Sequence, residues 1–111
     1  MKHTVSDESG VTVISLEGPI DVSQAMELRD ILGRHLVAGG ALLLDLGGTT
    51  LIDSSGIGVL VTAHRRAQEA GGRFALAGAS ANVGRVFELT RTNKLLEIHP
   101  TVEEGRAALG G

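Results

Sequence analysis

The stretch "ALLLDLGGTTLIDSSGIGVLVTAHRRAQEA", residues 41–70, decides the fold class of this chain. Its first six residues, "ALLLDL", are almost wholly apolar, which is typical of a strand buried on both faces of a parallel sheet. Ile57 and Leu60 then begin an apolar stripe at helical spacing, which predicts a helix from about Ser55 to Ala70. "GGTTLID" is expected to connect the two. A buried strand followed by an amphipathic helix is half of a strand–helix–strand unit.

The sequence upstream adds a hairpin and a first helix. "VTVISL", residues 11–16, is a predicted strand that the turn formers of "SDESG" join to a strand containing Val5. Pro19 cannot donate to a sheet ladder, so the strand is expected to end at "EGPID". The helix that follows begins at Asp21 or Ser23 and ends at Gly39 and Gly40. Its buried stripe consists of Leu28, Ile31, Leu32 and Leu36.

The sequence downstream continues the alternation. "RFALAG" is the next predicted strand, and "ANVGRVFELT" supplies Val83 and Phe87 at helical spacing. "LLEIHP" is a short edge strand ended by Pro100, and "TVEEGRAAL" is a last helix with Thr101 as its cap. The predicted fold is therefore α/β: one domain over residues 1–111, with a small mixed sheet, a parallel centre and about four helices.

Composition excludes several functional classes. Hydrophobic residues make up 42% of the chain and charged residues 21%, which is typical of a globular domain and not of a disordered one. The net charge of −3, with no basic run, argues against nucleic acid as a partner. Cysteine is absent, so thiolate metal sites and disulfides are excluded. "MKHTVSDESG" lacks a signal-peptide pattern, and no apolar run reaches the ~18 residues of a membrane span. A cytoplasmic monomer without cofactor, metal or membrane contact is expected.

Familiar catalytic and nucleotide-binding motifs are nearly present but fail. "GIGVLV" lacks the last glycine of a dinucleotide fingerprint, and "GASANVGR" lacks the Lys and Ser/Thr of a P-loop. A serine nucleophile needs an oriented base, and only carboxylates are expected near the serine pair, so the chain is not predicted to be an enzyme. The histidines have no metal-ligand spacing; they are His3, His35, His64 and His99.

"DSSG", residues 53–56, remains the candidate site. Asp53 and Ser54 are both good N-cap residues, and if Ser54 is the cap, the hydroxyl of Ser55 is free. Gly56 and Gly58 weaken a first helical turn by about 1 kcal/mol each, so they serve either close packing on the sheet or a docking partner. Phosphorylation of Ser55 would add about two negative charges at a helix start and repel an acidic or apolar partner.

With "LEGPID" upstream and "ELT" downstream, this region resembles the STAS domains of bacterial anti-sigma factor antagonists. The resemblance extends from about Val11 to Leu109 and implies the same α/β fold. It implies that Ser55 is phosphorylated by an anti-sigma factor serine kinase, which itself binds ATP and Mg²⁺. It further implies that the unmodified antagonist binds this kinase and releases a sigma factor, and that a PP2C-type phosphatase reverses the modification. The corresponding site comprises Asp21, Asp53, Ser54, Ser55, Gly56, Ile57 and Gly58.

Two features depart from the family pattern, and two other functions stay open. Pro19 stands where an acidic residue is frequent, and Arg91 and Thr92 replace a glycine turn. Either change could alter the choice of partner. The alternatives are a constitutive scaffold module of a stress-signalling complex and a STAS domain associated with a small molecule or lipid. The first would keep "DSSG" only as a helix start, and neither would have a phosphoswitch.

Overall fold

Five strands and four α-helices alternate along residues 1–110, the part of the chain that the computed structural model describes. The strands are β1 (Lys2–Glu8), β2 (Val11–Ile20), β3 (Ala41–Ile52), β4 (Arg73–Ala77) and β5 (Glu97–His99). The helices are α1 (Val22–His35), α2 (Ser54–Glu69), α3 (Ala81–Leu89) and α4 (Val102–Gly110), with a 3₁₀ turn at Thr92–Lys94.

The strands form one sheet in the order β1-β2-β3-β4-β5. β1 is antiparallel to β2, and the remaining neighbours are parallel, which confirms the predicted mixed sheet with a parallel centre. Ser9 and Gly10 connect the hairpin with φ values of 56° and 81°. Two successive positive φ angles are what a tight two-residue hairpin loop requires. The predicted hairpin and the short edge strand are therefore confirmed.

The central strands β2 and β3 are longer than the sequence predicts. Pro19 does not end β2, and "GGTTLID" belongs to β3, so the predictions of a strand end and a connection there were wrong. Pro19 lies at a register shift between Gly18 and Ile20, where the ladder does not need its missing N–H. Pairing with β4 stops at Asp45, so residues 46–52 are paired with β2 alone.

The sheet separates two hydrophobic cores. α1, α2 and α3 cover one face and form the larger core with alternate residues of the strands. The predicted stripe of α1 is confirmed, since Leu28, Ile31 and Leu32 are buried; the helix nevertheless ends at His35, before Gly39 and Gly40. α4 covers the other face, where a smaller core contains Val11, Val13, Leu43, Ala75 and Ala77. Throughout residues 1–110, no helix combines the length and the apolarity needed to cross a membrane.

The topology brings two helix starts together. β2 and β3 are parallel neighbours; α1 follows the first and α2 follows the second. Both helices therefore begin at the carboxyl edge of the sheet, where clefts and sites commonly form in α/β folds. The "DSSG" segment lies at this edge.

Candidate functional site

Two aspartates occupy equivalent positions at the starts of α1 and α2. Ile20 and Ile52 are paired across β2 and β3, and Asp21 and Asp53 are the residues that follow them. The backbone N–H of Asp53 donates to the carbonyl oxygen of Ile20 at 3.2 Å. This hydrogen bond joins the two helix starts, so the predicted neighbourhood of Asp21 and the "DSSG" segment is present in the structure.

Asp53 is the N-cap of α2, and Ser54, the other candidate from the sequence, is not. The Asp53 carboxylate accepts from the backbone N–H groups of Ser55 at 2.9 Å and Gly56 at 3.2 Å. The ladder between β2 and β3 ends at Ile52, so Asp53 is the first residue that is free to turn into the helix. Its backbone is still extended, as an N-cap requires, whereas Ser54 is already helical.

Because Asp53 supplies the cap, neither serine hydroxyl is needed to cap α2. Ser54 is exposed and Ser55 is partly buried. Neither side-chain oxygen takes part in any of the hydrogen bonds found among residues 1–110. At the start of α1, by contrast, the Ser23 hydroxyl donates to Asp21. Hydrogen bonding therefore does not separate Ser55 from Ser54, and exposure favours Ser54, so the choice of Ser55 as the phosphoacceptor rests on the resemblance.

The two glycines of the first turn serve different purposes. A Cβ on Gly56 would lie 2.7 Å from Cγ2 of Ile20 and 2.8 Å from Cγ1 of Ile52, so this position needs glycine for packing. A Cβ on Gly58 would meet nothing within 4 Å, so no packing demand explains that glycine. Gly56 and Ile57 are buried, whereas Gly58 is exposed. Of these three predicted site residues, only Gly58 presents its surface to solvent.

The site is acidic. Asp21 accepts from the hydroxyl of Ser23 at 2.6 Å and from its backbone N–H at 2.9 Å, and these hydrogen bonds hold the pKa of Asp21 below its usual range. Asp21 therefore carries a full negative charge near neutral pH. Asp45, also considered from the sequence, lies within β3 and accepts from Ser15 and Gly47. Residues 1–110 contain no group of three or more His, Asp or Glu side chains suited to a metal ion.

Exposed apolar side chains flank the two helix starts, and sequence reasoning missed them. Val22 and Met26 on α1 are 73% and 64% exposed, and Leu51, two residues before Asp53, is 44% exposed. Val22 and Met26 are one helical turn apart and lie off the buried stripe of α1, which is the signal that could have identified them. Exposed apolar residues next to a polar site are typical of protein-binding surfaces.

Comparison with known proteins identifies the family of this chain. The family model described as STAS domain matches residues 4–105. An anti-sigma-B factor antagonist from Bacillus subtilis strain 168 is 29% identical over 92 residues, covering 83% of this chain and 84% of that protein. An anti-sigma-B factor antagonist from Listeria monocytogenes is 31% identical over 86 residues, covering 77% of this chain and 75% of that protein.

Solved structures share the fold. The crystal structure of an anti-sigma factor antagonist from Mycobacterium paratuberculosis superposes with a TM-score of 0.89 at 25% identity and covers 99% of this chain and 94% of its own. The phosphorylated form of the Bacillus cell fate determinant SpoIIAA superposes with a TM-score of 0.69 at 20% identity, covering 96% of this chain and 98% of its own.

Proposed function

We propose a function for this chain on the basis that it belongs to the STAS domain family. Its curated relatives are named anti-sigma factor antagonists, which are regulatory binding proteins. We propose that this chain likewise binds an anti-sigma factor serine kinase in the cytoplasm and so releases a sigma factor. Phosphorylation of Ser55 by that kinase ends the binding, and a PP2C-type phosphatase restores it. ATP and Mg²⁺ belong to the kinase, so this chain is substrate and switch.

The observation that carries the proposal is a serine pair with unengaged hydroxyls at the start of α2, of which the family resemblance selects Ser55. Asp53 already accepts from the backbone N–H groups of Ser55 and Gly56, so these donors are not free to neutralise a phosphate. A phosphate on Ser55 would add about two negative charges beside the Asp53 carboxylate and close to that of Asp21. The added charge would therefore be directed at solvent and at any docked partner.

The surroundings of Ser55 suit a surface that is bound when unmodified and released when charged. Val22, Met26 and Leu51 offer apolar area beside it, and Gly58 leaves the helix backbone bare. A charge at the margin of an apolar contact must be desolvated for binding to occur, which is costly. About 1.4 kcal/mol of such cost lowers affinity tenfold. A single phosphate is thus sufficient to switch a moderate interface.

The test is phosphorylation with site identification. Purified protein is incubated with the serine-kinase anti-sigma factor encoded in the same genome and with ATP and Mg²⁺, and the product is analysed by tandem mass spectrometry. We expect one phosphate, on Ser55. Ser54→Ala serves as the matched control because the neighbouring hydroxyl is equally unengaged; it should be phosphorylated like the wild type, whereas Ser55→Ala should not.

Two results would contradict the proposal. Phosphate on Ser54 would transfer the switch to the more exposed serine, whose hydroxyl is equally unengaged. Binding to the kinase without any phosphorylation would favour the constitutive scaffold module. A PP2C-type phosphatase should remove the phosphate from Ser55 and restore binding to the kinase.

A further inference from the structure

The first strand of the sheet is an open edge. β1 pairs with β2 on one side only, and its principal contacts are with that strand, while the helices pack on β2, β3, β4 and β5. Five of its seven residues are exposed, including Val5 at its centre. An edge strand presents backbone N–H and C=O groups that can pair with another strand. Seven residues at about 3.4 Å each make an edge of roughly 24 Å.

The sequence of β1, "KHTVSDE", is complementary to itself when reversed. If two copies pair antiparallel around Val5, Lys2 lies opposite Glu8 and His3 lies opposite Asp7. Thr4 then lies opposite Ser6, and Val5 meets its own copy. Opposite charges, hydroxyl pairs and β-branched pairs are the favourable cross-strand combinations. Every position of the strand therefore meets a suitable partner in one register.

Other arrangements do not give this match. Centring the pair on Thr4 places Lys2 opposite Ser6 and His3 opposite Val5, which removes the Lys2–Glu8 charge pair and the His3–Asp7 contact. A parallel in-register pair places like charges side by side, which is destabilising. A strand from an unrelated protein would carry the reverse charge pattern only by chance, whereas a second copy of this chain always presents it.

We propose that β1 pairs antiparallel with β1 of a second copy, with a two-fold axis at Val5, so that two five-stranded sheets become one continuous sheet. Lys2 of each copy then forms an ion pair with Glu8 of the other, and His3 of each copy lies opposite Asp7 of the other. A two-fold interface of this kind is isologous and closes at two copies. It uses the edge strand and leaves Ser55, at the starts of the helices, accessible.

The contacts that Lys2, Asp7 and Glu8 make within one chain do not prevent these residues from contacting a second copy. Nζ of Lys2 lies 3.5 Å from Oε2 of Glu17, but both side chains are largely exposed, so that ion pair contributes little to stability. Glu8 accepts from Arg106 through one oxygen and from Ser6 through the other, and Asp7 accepts from Thr12. Each carboxylate has about four acceptor positions and so can accept a further hydrogen bond.

The interface is small, so the dimer should depend on concentration. A single pair of seven-residue strands buries less than the ~1,200 Å² of a standard stable interface. Sedimentation equilibrium from about 10 µM to about 1 mM covers the range expected for such an area. We expect the mass of the wild-type protein to rise from 11.5 kDa towards twice that value.

Charge reversal supplies the decisive experiment. Lys2→Glu places two glutamates opposite each other at both ends of the paired strands, and Glu8→Lys places two lysines together there, so each variant alone should remain at 11.5 kDa. In an equimolar mixture, a heterodimer of the two variants has the native Lys2–Glu8 pair at one end. At the other end, the introduced glutamate at position 2 lies opposite the introduced lysine at position 8. The mixture should therefore dimerise like the wild type. Rescue by mixing two impaired chains does not arise from misfolding.

Matched controls reverse the same charges elsewhere. Lys94→Glu and Glu69→Lys alter exposed residues away from β1 and should leave dimerisation unchanged. A wild-type mass of 11.5 kDa throughout the concentration range would overturn the proposal and support the expected monomer. Dimers that persist in both single β1 variants would overturn it as well, because another surface would then hold the copies together.

Discussion

At the scale of single residues, Asp53 caps α2, and Ser55, two positions later, is the proposed phosphoacceptor. Asp53 holds the first turn of α2 by accepting two backbone N–H groups, whereas the Ser55 hydroxyl binds nothing in the described chain. Modification of Ser55 therefore need not break a hydrogen bond that the fold requires. Ser54, the other cap candidate from the sequence, makes no capping hydrogen bond. The first turn can thus acquire a charge while its cap stays in place.

The charge mechanism predicts opposite behaviour for two substitutions of Ser55. Ser55→Asp should bind the anti-sigma factor kinase about tenfold or more weakly, because it adds a charge beside Asp53. Ser55→Ala should bind like the wild type and stay bound after ATP is added. Isothermal titration calorimetry measures both affinities. Thr62→Asp adds the same charge two turns further along α2 and is the control; equal affinities for the two Ser55 variants would exclude a charge switch.

Cap removal should act through Asp53 alone. Asp53→Ala leaves the N–H groups of Ser55 and Gly56 without a partner and should lower the free energy of unfolding by about 1 kcal/mol. Ser54→Ala should leave it unchanged, since that hydroxyl caps nothing. Urea denaturation followed by circular dichroism compares the two variants. A loss in Ser54→Ala equal to that in Asp53→Ala would disprove the assignment of the cap.

At the scale of elements, the sequence predicts what is local and misses what depends on distant pairing. The stripe of Leu28, Ile31 and Leu32 identifies α1 because helical periodicity is contained within the helix itself. The length of β3 depends on pairing with β2, which lies far earlier in the chain and which no local pattern contains. The cap at Asp53 follows from where that pairing ends, so the sequence alone left the choice between Asp53 and Ser54 open.

The glycines of α2 provide a paired prediction at this scale. Gly56→Ala places a methyl group against buried Ile20 and Ile52 and should destabilise the protein by about 1–3 kcal/mol. Gly58→Ala meets no atom within 4 Å and should stabilise it by up to about 1 kcal/mol, because alanine favours the helix. Thermal unfolding of the two variants should therefore shift in opposite directions. Equal shifts would contradict the different packing of the two positions.

At the scale of the whole molecule, the sheet separates the site from α4. Asp21, Asp53 and Ser55 lie where α1 and α2 begin, on the side of the larger core. α4 packs on the opposite face, where a Cβ on Gly105 would lie 2.8 Å from Cδ1 of Leu43. The two faces have separate hydrophobic cores, so changes in one should affect global stability without altering the chemistry of the other.

Gly105→Val tests this separation. The larger side chain should force α4 away from Leu43 and lower the free energy of unfolding by about 1–3 kcal/mol. Ala107→Val introduces the same side chain at an exposed position of α4 and should cost much less. Below the unfolding temperature, both variants and the wild type should be phosphorylated on Ser55 at the same rate. A slower reaction in Gly105→Val alone would show that the two faces communicate.

The unequal strand lengths of the sheet have a consequence for local opening. Residues 46–52 extend beyond β4 and form a ladder with β2 alone. The "DSSG" turn therefore follows a segment of β3 that has a neighbouring strand on one side only. The side chains of Leu46, Thr49 and Ile52 in this extension are buried, so packing holds it where a second ladder is missing. Hydrogen exchange should nevertheless find its backbone N–H groups less protected than those of residues 42–45, which have ladder partners on both sides.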